Sequence, residues 1–261
     1  MLLLIDIGNT RIKWAYLRDG RLGEHAAAAR EGLTDEALRV ALVRTPEPPS
    51  RVLVSNVAGA QAGELVSSCI KRAWNRDAEF VHSAAQACGV RSAYRDPGKL
   101  GVDRWLAIIA AHAAHNRPAC IVSVGTAMTI DGVDRRGLHL GGVITPGPDL
   151  MASSLFSNTS DIAQRAQQGA STDALFADNT LGAVEQGATH ALAALVERAV
   201  DVMQAQLGEA PVLIFTGGAS SRVQPAVRRP GVVVPDLVLR GLAVFSGEPF
   251  FAAGEVMGSS D

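Results

Sequence analysis

Apolar residues run unbroken from Leu2 to Ile5, a charged residue follows at Asp6, and a glycine interrupts at Gly8. A short continuous apolar run predicts a buried strand. Neither an acid nor a glycine suits the interior of such a strand, so its end predicts a backbone that must come close to something. The pattern recurs in "CIVSVGTAMTIDGVDRRGLHLGG". Laid over the opening, Gly8 falls on Gly125 and Gly20 on Gly137, each pair 117 positions apart. Each copy reads as strand, polar-glycine turn, second strand and charged turn, and the short spacing predicts β-hairpins rather than βαβ crossovers. The repeat implies two similar halves, 1–116 and 117–261, with Pro118 breaking the helix before the second.

The remaining pattern is α/β. "RVLVSNV" predicts a strand, and "TDEALRVAL" a helix capped by Thr34. "VDRWLAIIAAHAAHN" and the stretch 181–207 predict helices, "VERAVDVMQAQL" within the latter being a core-packing face. "PVLIFTGGAS" reads as a buried strand ending on glycines, and "VVVPDLVLRGLAVF" as a short strand and a terminal helix. The prolines and glycines of "GGVITPGPDL" predict a loop, and the final "EVMGSSD" is expected to fray.

Composition narrows the function classes. Hydrophobic residues make up 48% and charged residues 19%, ample for a core. A net charge of -2 and only 5% aromatics leave no footprint for nucleic acid, so no direct nucleic-acid binding is expected. No apolar run approaches the roughly 18 residues of a membrane span. The N-terminal run lacks the basic flank and length of a signal peptide, and a cytoplasmic protein is expected. Cys69, Cys88 and Cys120 lack CxxC spacing and read as reduced thiols. His112 and His115 share a helical face but have no third ligand nearby in sequence, so no metal site is read there.

The glycine turns are where chemistry is expected. Glycine lets backbone N–H groups approach and converge on a phosphate. Asn9, Thr10 and Thr126 add side-chain donors, Lys13 a point charge, and Asp6 a ligand for Mg²⁺, directly or through water. Alone, "DIGNT" would be a tight hairpin turn; matched turns plus "FTGG" suggest a nucleotide. In "YRDPGKLGVDRW", Asp96-Pro97-Gly98 marks a turn and Gly101 precedes a helix starting near Asp103. Asp103 there is either a helix cap or a catalytic group, and Arg104 an anchor for an anion. Asn179 and Thr180 stand where a helix cap is the default reading.

Together "DIGNTRIKWA", "YRDPGKLGVDRW", "GTAMTID", "GGVITPG", "NTLGAVEQG" and "TGGAS" resemble the type III pantothenate kinase family in order and over nearly the whole chain. The resemblance implies an actin-like ATPase fold, with ribonuclease-H-like halves around a nucleotide cleft. It implies ATP- and Mg²⁺-dependent phosphorylation of pantothenate by a homodimer whose pantothenate pocket lies near the subunit interface. By the same resemblance Asp6, Ile7, Gly8, Asn9, Thr10, Arg11, Ile12 and Lys13 line the ATP, with Asp6 at the metal and Thr126 in the second phosphate loop. Asp103 is the base, and Tyr94, Gly101, Val102, Asp103, Arg104 and Thr180 border the pantothenate. One position departs from the pattern: Ser123 stands where many members carry an acid that helps bind K⁺ or NH₄⁺. The competing readings are another actin-like phosphotransferase or phosphatase, and a non-enzyme relative serving transcription. The first would not need "YRDPGKLGVDR" or "NTLGAVEQG", and the set Asp6, Asp103, Arg104 and Thr180 favours an enzyme over the second.

Overall fold

The opening run and its glycine form one hairpin: β1 (Leu2–Ile7) pairs antiparallel with β2 (Arg11–Arg18). This computed structural model describes residues 1–43, 47–167, 169–248 and 250, and "EVMGSSD" lies outside them. They form two compact units, Met1–Asn116 together with the residues from Asp236 onward, and Arg117–Pro235.

In the first unit the chain continues through β3 (Arg21–Leu22), β4 (Ala26–Ala29), helix α1 (Asp35–Leu42), β5 (Arg51–Asn56), helix α2 (Ala60–Trp74) and β6 (Ala78–Phe80). A small hairpin of β7 (Gln86–Ala87) and β8 (Val90–Arg91) leads to helix α3 (Val102–Ala114). The sheet order is β3-β2-β1-β5-β6, with β4 also on β2, and β1, β5 and β6 are parallel.

The strand period of two explains why the opening is apolar throughout. Leu3, Ile5 and Ile7 share one buried cluster with Ile12 and Trp14 of β2 and with Leu38, Val66 and Ile70 of α1 and α2. Leu2 and Leu4 belong to another, with Ala15, Leu53 and Leu106 of α3. Asp6 therefore continues the row Leu2–Leu4, on the α3 side of the sheet. Thr34 caps α1 as expected, its hydroxyl accepting from the Ala37 N–H at 3.2 Å.

The second unit repeats the hairpin with β9 (Ala119–Val124) and β10 (Ala127–Val133), then continues with β11 (His139–Pro146) and helices α4 (Pro148–Asn158), α5 (Ser160–Ala166) and α6 (Thr180–Leu207). β12 (Val212–Thr216), the short helix α7 (Ser220–Val223) and β13 (Val232–Val233) follow. The sheet order is β11-β10-β9-β12-β13. Its core packs Val122, Val124, Met128 and Phe215 against Leu192, Val196 and Val200 of α6. Gly20 and Gly137, matched by the repeat, both take left-handed φ values, 74° and 79°. That conformation favours glycine and accounts for the second glycine of each copy.

Three expectations change. "GGVITPGPDL" is not a loop, since β11 runs into α4 through it. His115 is extended and follows the end of α3, so it does not share a helical face with His112. Helix α8 (Leu237–Phe245) packs with the first unit, where Leu239, Leu242 and Ala243 join the cluster of Leu2 and Leu4, although its sequence follows the second repeat. Its apolar face completes the side of the first sheet that α3 covers only in part.

Candidate active site

The first turn is tight and braced. The Gly8 N–H donates to the Arg11 carbonyl at 2.9 Å, and a Cβ at Gly8 would stand 3.2 Å from that oxygen. Arg30 ties the exposed tip down: its Nε donates to the Asn9 carbonyl at 2.7 Å and its N–H to the Thr10 carbonyl at 2.9 Å. Sequence reasoning did not find Arg30, which lies in no motif. Asn9, Thr10 and Arg11 are exposed, whereas Ile7 and Ile12 are fully buried. The side chains of the two isoleucines thus anchor the turn in the core.

Asp6 sits at the end of β1 between Lys13 on β2 and Ser55 on β5, its register partners on either side. Its Oδ1 is buried and has no hydrogen-bond partner among the described residues. Burial pushes its carboxyl up to about 6, repulsion from Asp103 adds to the rise, and the Ser55 hydroxyl and Lys13 offset part of it. Asp6 and Asp103 are thus electrostatically coupled, although 97 positions separate them in the sequence.

Asp103 is the second residue of α3, and Gly101, not Asp103, occupies the cap position. Its Oδ1 accepts from the Arg104 N–H at 2.8 Å, which holds the carboxylate at the positive end of the helix. A Cβ at Gly101 would stand 2.7 Å from that same Oδ1, so a side chain there would push the carboxylate aside. Val102 packs on the cluster of Leu2 and Leu4 and fixes the start of the helix. Arg104 is buried and donates to the Tyr94 hydroxyl at 2.9 Å, with its guanidinium 5.7 Å from the ring centroid. The preceding turn forms as read, the Asp96 Oδ1 accepting from the Gly98 N–H at 3.2 Å.

In the second unit, Gly125 and Thr126 form the exposed tip between β9 and β10, and the Gly125 N–H donates to the Ala127 carbonyl at 2.9 Å. Two further glycines press against this turn. The Gly147 N–H donates to the Thr126 carbonyl at 2.8 Å, and a Cβ at Gly147 or at Gly217 would overlap the backbone of Gly125 or Val124. The glycine breaks at 125 and 217 do converge, and Gly147 is a third member that the loop reading of its segment obscured.

Ser123 faces Thr129 of β10 and Thr216 of β12 in register, so hydroxyls flank the position where an acid was expected. Thr180 opens α6 behind the cap Asn179, whose Oδ1 accepts from the Gly182 N–H at 3.0 Å. It lines an apolar cavity of about 840 Å³ with Pro146, Met151, Leu155 and Val184. Among the described residues no His, Cys, Asp and Glu cluster of three or more could hold a metal ion. The cysteines are free, and burial pushes the Cys69 and Cys120 thiols up to about 11 and about 12.

The family model for type III pantothenate kinase matches residues 2–202. A type III pantothenate kinase from Nitrosospira multiformis is 36% identical, the alignment covering 100% of this chain and 97% of the relative. The chain belongs to the type III pantothenate kinase family. Among solved structures, a protein described as a Baf family transcriptional activator from Campylobacter jejuni is similar, with a TM-score of 0.56 and 22% identity over 95% of this chain and 98% of that one. The activator of the 2-hydroxyisocaproyl-CoA dehydratase from Clostridium difficile, with bound ADPNP, gives a TM-score of 0.52 and 14% identity over 94% and 93%. At these identities the likeness concerns fold alone, and that fold is the actin-like ATPase fold of the kinases. Among the described residues no helix is long and apolar enough to cross a membrane.

Proposed function

We propose that the chain transfers the γ-phosphoryl group of ATP to pantothenate, giving 4'-phosphopantothenate for coenzyme A synthesis, with Asp103 as the base. The observation that carries the assignment is the match to the type III pantothenate kinase family over residues 2–202, with Asp103 in the first turn of α3 repelling the Asp6 carboxyl near the end of β1. An aspartate is a weak base at neutral pH, but phosphoryl transfer asks it chiefly to orient the attacking hydroxyl, whose proton leaves late. The Arg104 N–H, by fixing one carboxylate oxygen, supplies that orientation.

The residues fit a divalent cation. The Asp6 carboxyl, raised in pKa by burial and by a second carboxylate, is stabilised as the anion by a metal ion beside it. Mg²⁺ bound there would neutralise charge on the transferring phosphate. Asp6 would hold it, directly or through water. The turns at Gly8–Lys13 and Gly125–Thr126 would receive the phosphates on backbone N–H groups and on the Thr10 and Thr126 hydroxyls. Tyr94, the segment Gly101–Arg104 and Thr180 would border pantothenate, the enzyme acting as a cytoplasmic homodimer. A weak monovalent-cation site at Ser123 completes the reading.

ATP turnover measured with and without pantothenate, with product identified by mass spectrometry, tests the proposal. Pantothenate-dependent hydrolysis with a matching phosphopantothenate signal is expected. Hydrolysis that pantothenate leaves unchanged, with no such product, would overturn it.

A further inference from the structure

Ser55 is the only polar residue within the strand segment Val52–Ser55, and its side chain is wholly buried in the first unit. No motif includes it. Its Oγ has no hydrogen-bond partner among the described residues, and neither has the Asp6 Oδ1. The two residues are register partners across the parallel pair β1–β5. Partners in a parallel ladder put their side chains on the same face, and adjacent strands run about 4.8 Å apart. Leaving a hydroxyl and a carboxylate oxygen buried and unpaired side by side is costly, and one hydrogen bond from Oγ to Oδ1 satisfies both.

The second unit carries the same design. There β12 pairs parallel with β9 and sets Thr216, also buried, opposite Ser123, the counterpart of Asp6 in the repeat. Both sheets thus place a hydroxyl beside the residue that precedes the glycine turn by two positions. A hydroxyl recurring at this register point, where a β-branched apolar residue would pack better, argues for a polar task.

We propose that Ser55 is a positioning residue for Asp6: its hydroxyl holds the buried Oδ1 and so directs the other carboxylate oxygen toward the metal-bound nucleotide. Asp6 has Lys13 as its register partner on β2 and Ser55 on β5. The inference rests on the reading of Asp6 as the metal-binding residue. Ser55 does not touch substrate, so its loss acts through the metal and leaves pantothenate binding alone.

The test is Mn²⁺ binding in the presence of a non-hydrolysable ATP analogue, followed by the electron paramagnetic resonance signal of free Mn²⁺. Ser55→Ala is expected to weaken Mn²⁺ affinity about tenfold, the scale of a hydrogen bond to a charged group. The KM for pantothenate should stay unchanged while the Mg²⁺ requirement rises. Ser55→Thr should restore binding to within about twofold, since Thr216 shows that this sheet position accepts a threonine. Ser55→Cys, nearly isosteric but a poor donor, should behave as Ser55→Ala does, and carries the test if the alanine protein fails to fold. Added to Asp6→Asn, Ser55→Ala should weaken Mn²⁺ binding no further. If Asp6→Asn weakens Mn²⁺ binding while Ser55→Ala and Ser55→Cys do not, the inference fails and the assignment of Asp6 stands. A Ser55→Thr protein as weak as Ser55→Ala also overturns it. If Asp6→Asn binds Mn²⁺ as tightly as the unaltered protein, the assignment of Asp6 itself fails.

Discussion

Gly147 lies against Gly125 so closely that a Cβ on Gly147 would overlap the Gly125 carbonyl oxygen, while its N–H donates to the Thr126 carbonyl at 2.8 Å. The start of α4 and the second glycine turn are thus packed directly against each other. Gly147→Ala should lower stability by about 1–3 kcal/mol, as overpacking does. It should also weaken nucleotide binding more than that loss explains. Gly187, within α6 and with open space where a side chain would stand, is the control: Gly187→Ala should stabilise by up to about 1 kcal/mol. Denaturant midpoints and titration with a fluorescent nucleotide check both, and equal behaviour of the two variants would separate Gly147 from the turn.

Asp103→Asn should fold normally and bind nucleotide, with kcat lowered by roughly 10²-fold or more, the scale of a positioned base. The amide can still accept from the Arg104 N–H, so the helix start is preserved. Single-turnover kinetics would decide it. A near-normal chemical step would leave Asp103 with only its role at the end of α3.

Asp6 gives a pH dependence whose sign follows from its surroundings. Its carboxyl titrates higher in the folded protein, about 6, than in the unfolded chain, because burial and Asp103 oppose its charge. The folded state therefore favours the protonated form, and ionisation costs stability as pH rises from about 4 to above 6. Without metal, Asp6→Asn should be more stable than the unaltered protein at pH 8, by up to about 3 kcal/mol, and no more stable at pH 3.5. Thermal melts across this range, without and with Mg²⁺ and nucleotide, test the claim. A difference that does not vary with pH would contradict it.

Much of this site is legible in the amino-acid order alone. The paired glycines at 8 and 125, and at 20 and 137, betray both hairpins because tight turns restrict residue type. Thr34 and Asn179 announce their helices as caps. The start of α4 is hidden because proline and glycine are ambiguous. Pro146 is tolerated at the end of β11, an edge strand, and Pro148 in the first turn of α4, where no N–H is needed. Ser55 escapes notice because its meaning depends on strand register, which a single sequence does not carry.

Thr180→Val keeps the volume of the side chain and removes its hydroxyl from the lining of the cavity beside α6. The KM for pantothenate should rise about tenfold with kcat less affected, and light scattering should report a dimer for both proteins. An unchanged KM would remove Thr180 from the site, and a fully active monomer would contradict the dimer.

Ser123 should make activation by K⁺ or NH₄⁺ weak, because hydroxyl dipoles offset less of a cation's lost hydration than a carboxylate does. Ser123→Asp, between Thr129 and Thr216, should lower the salt concentration for half-activation. KCl titrations against choline chloride at equal ionic strength cancel general screening. Tight activation that Ser123→Asp leaves unaltered would place the cation elsewhere.

The packing of α8 into the first unit sets an order of events during synthesis. Leu2 and Leu4 leave the ribosome long before Leu239, Leu242 and Ala243, which share their cluster. At about 5–20 residues per second, one face of the first sheet waits some ten seconds or more for its cover. The second unit, whose residues form one continuous stretch, can finish folding sooner. A chain released before residue 237 would leave this face with only the partial cover of α3, so a premature stop there should yield aggregate rather than a slightly weaker enzyme.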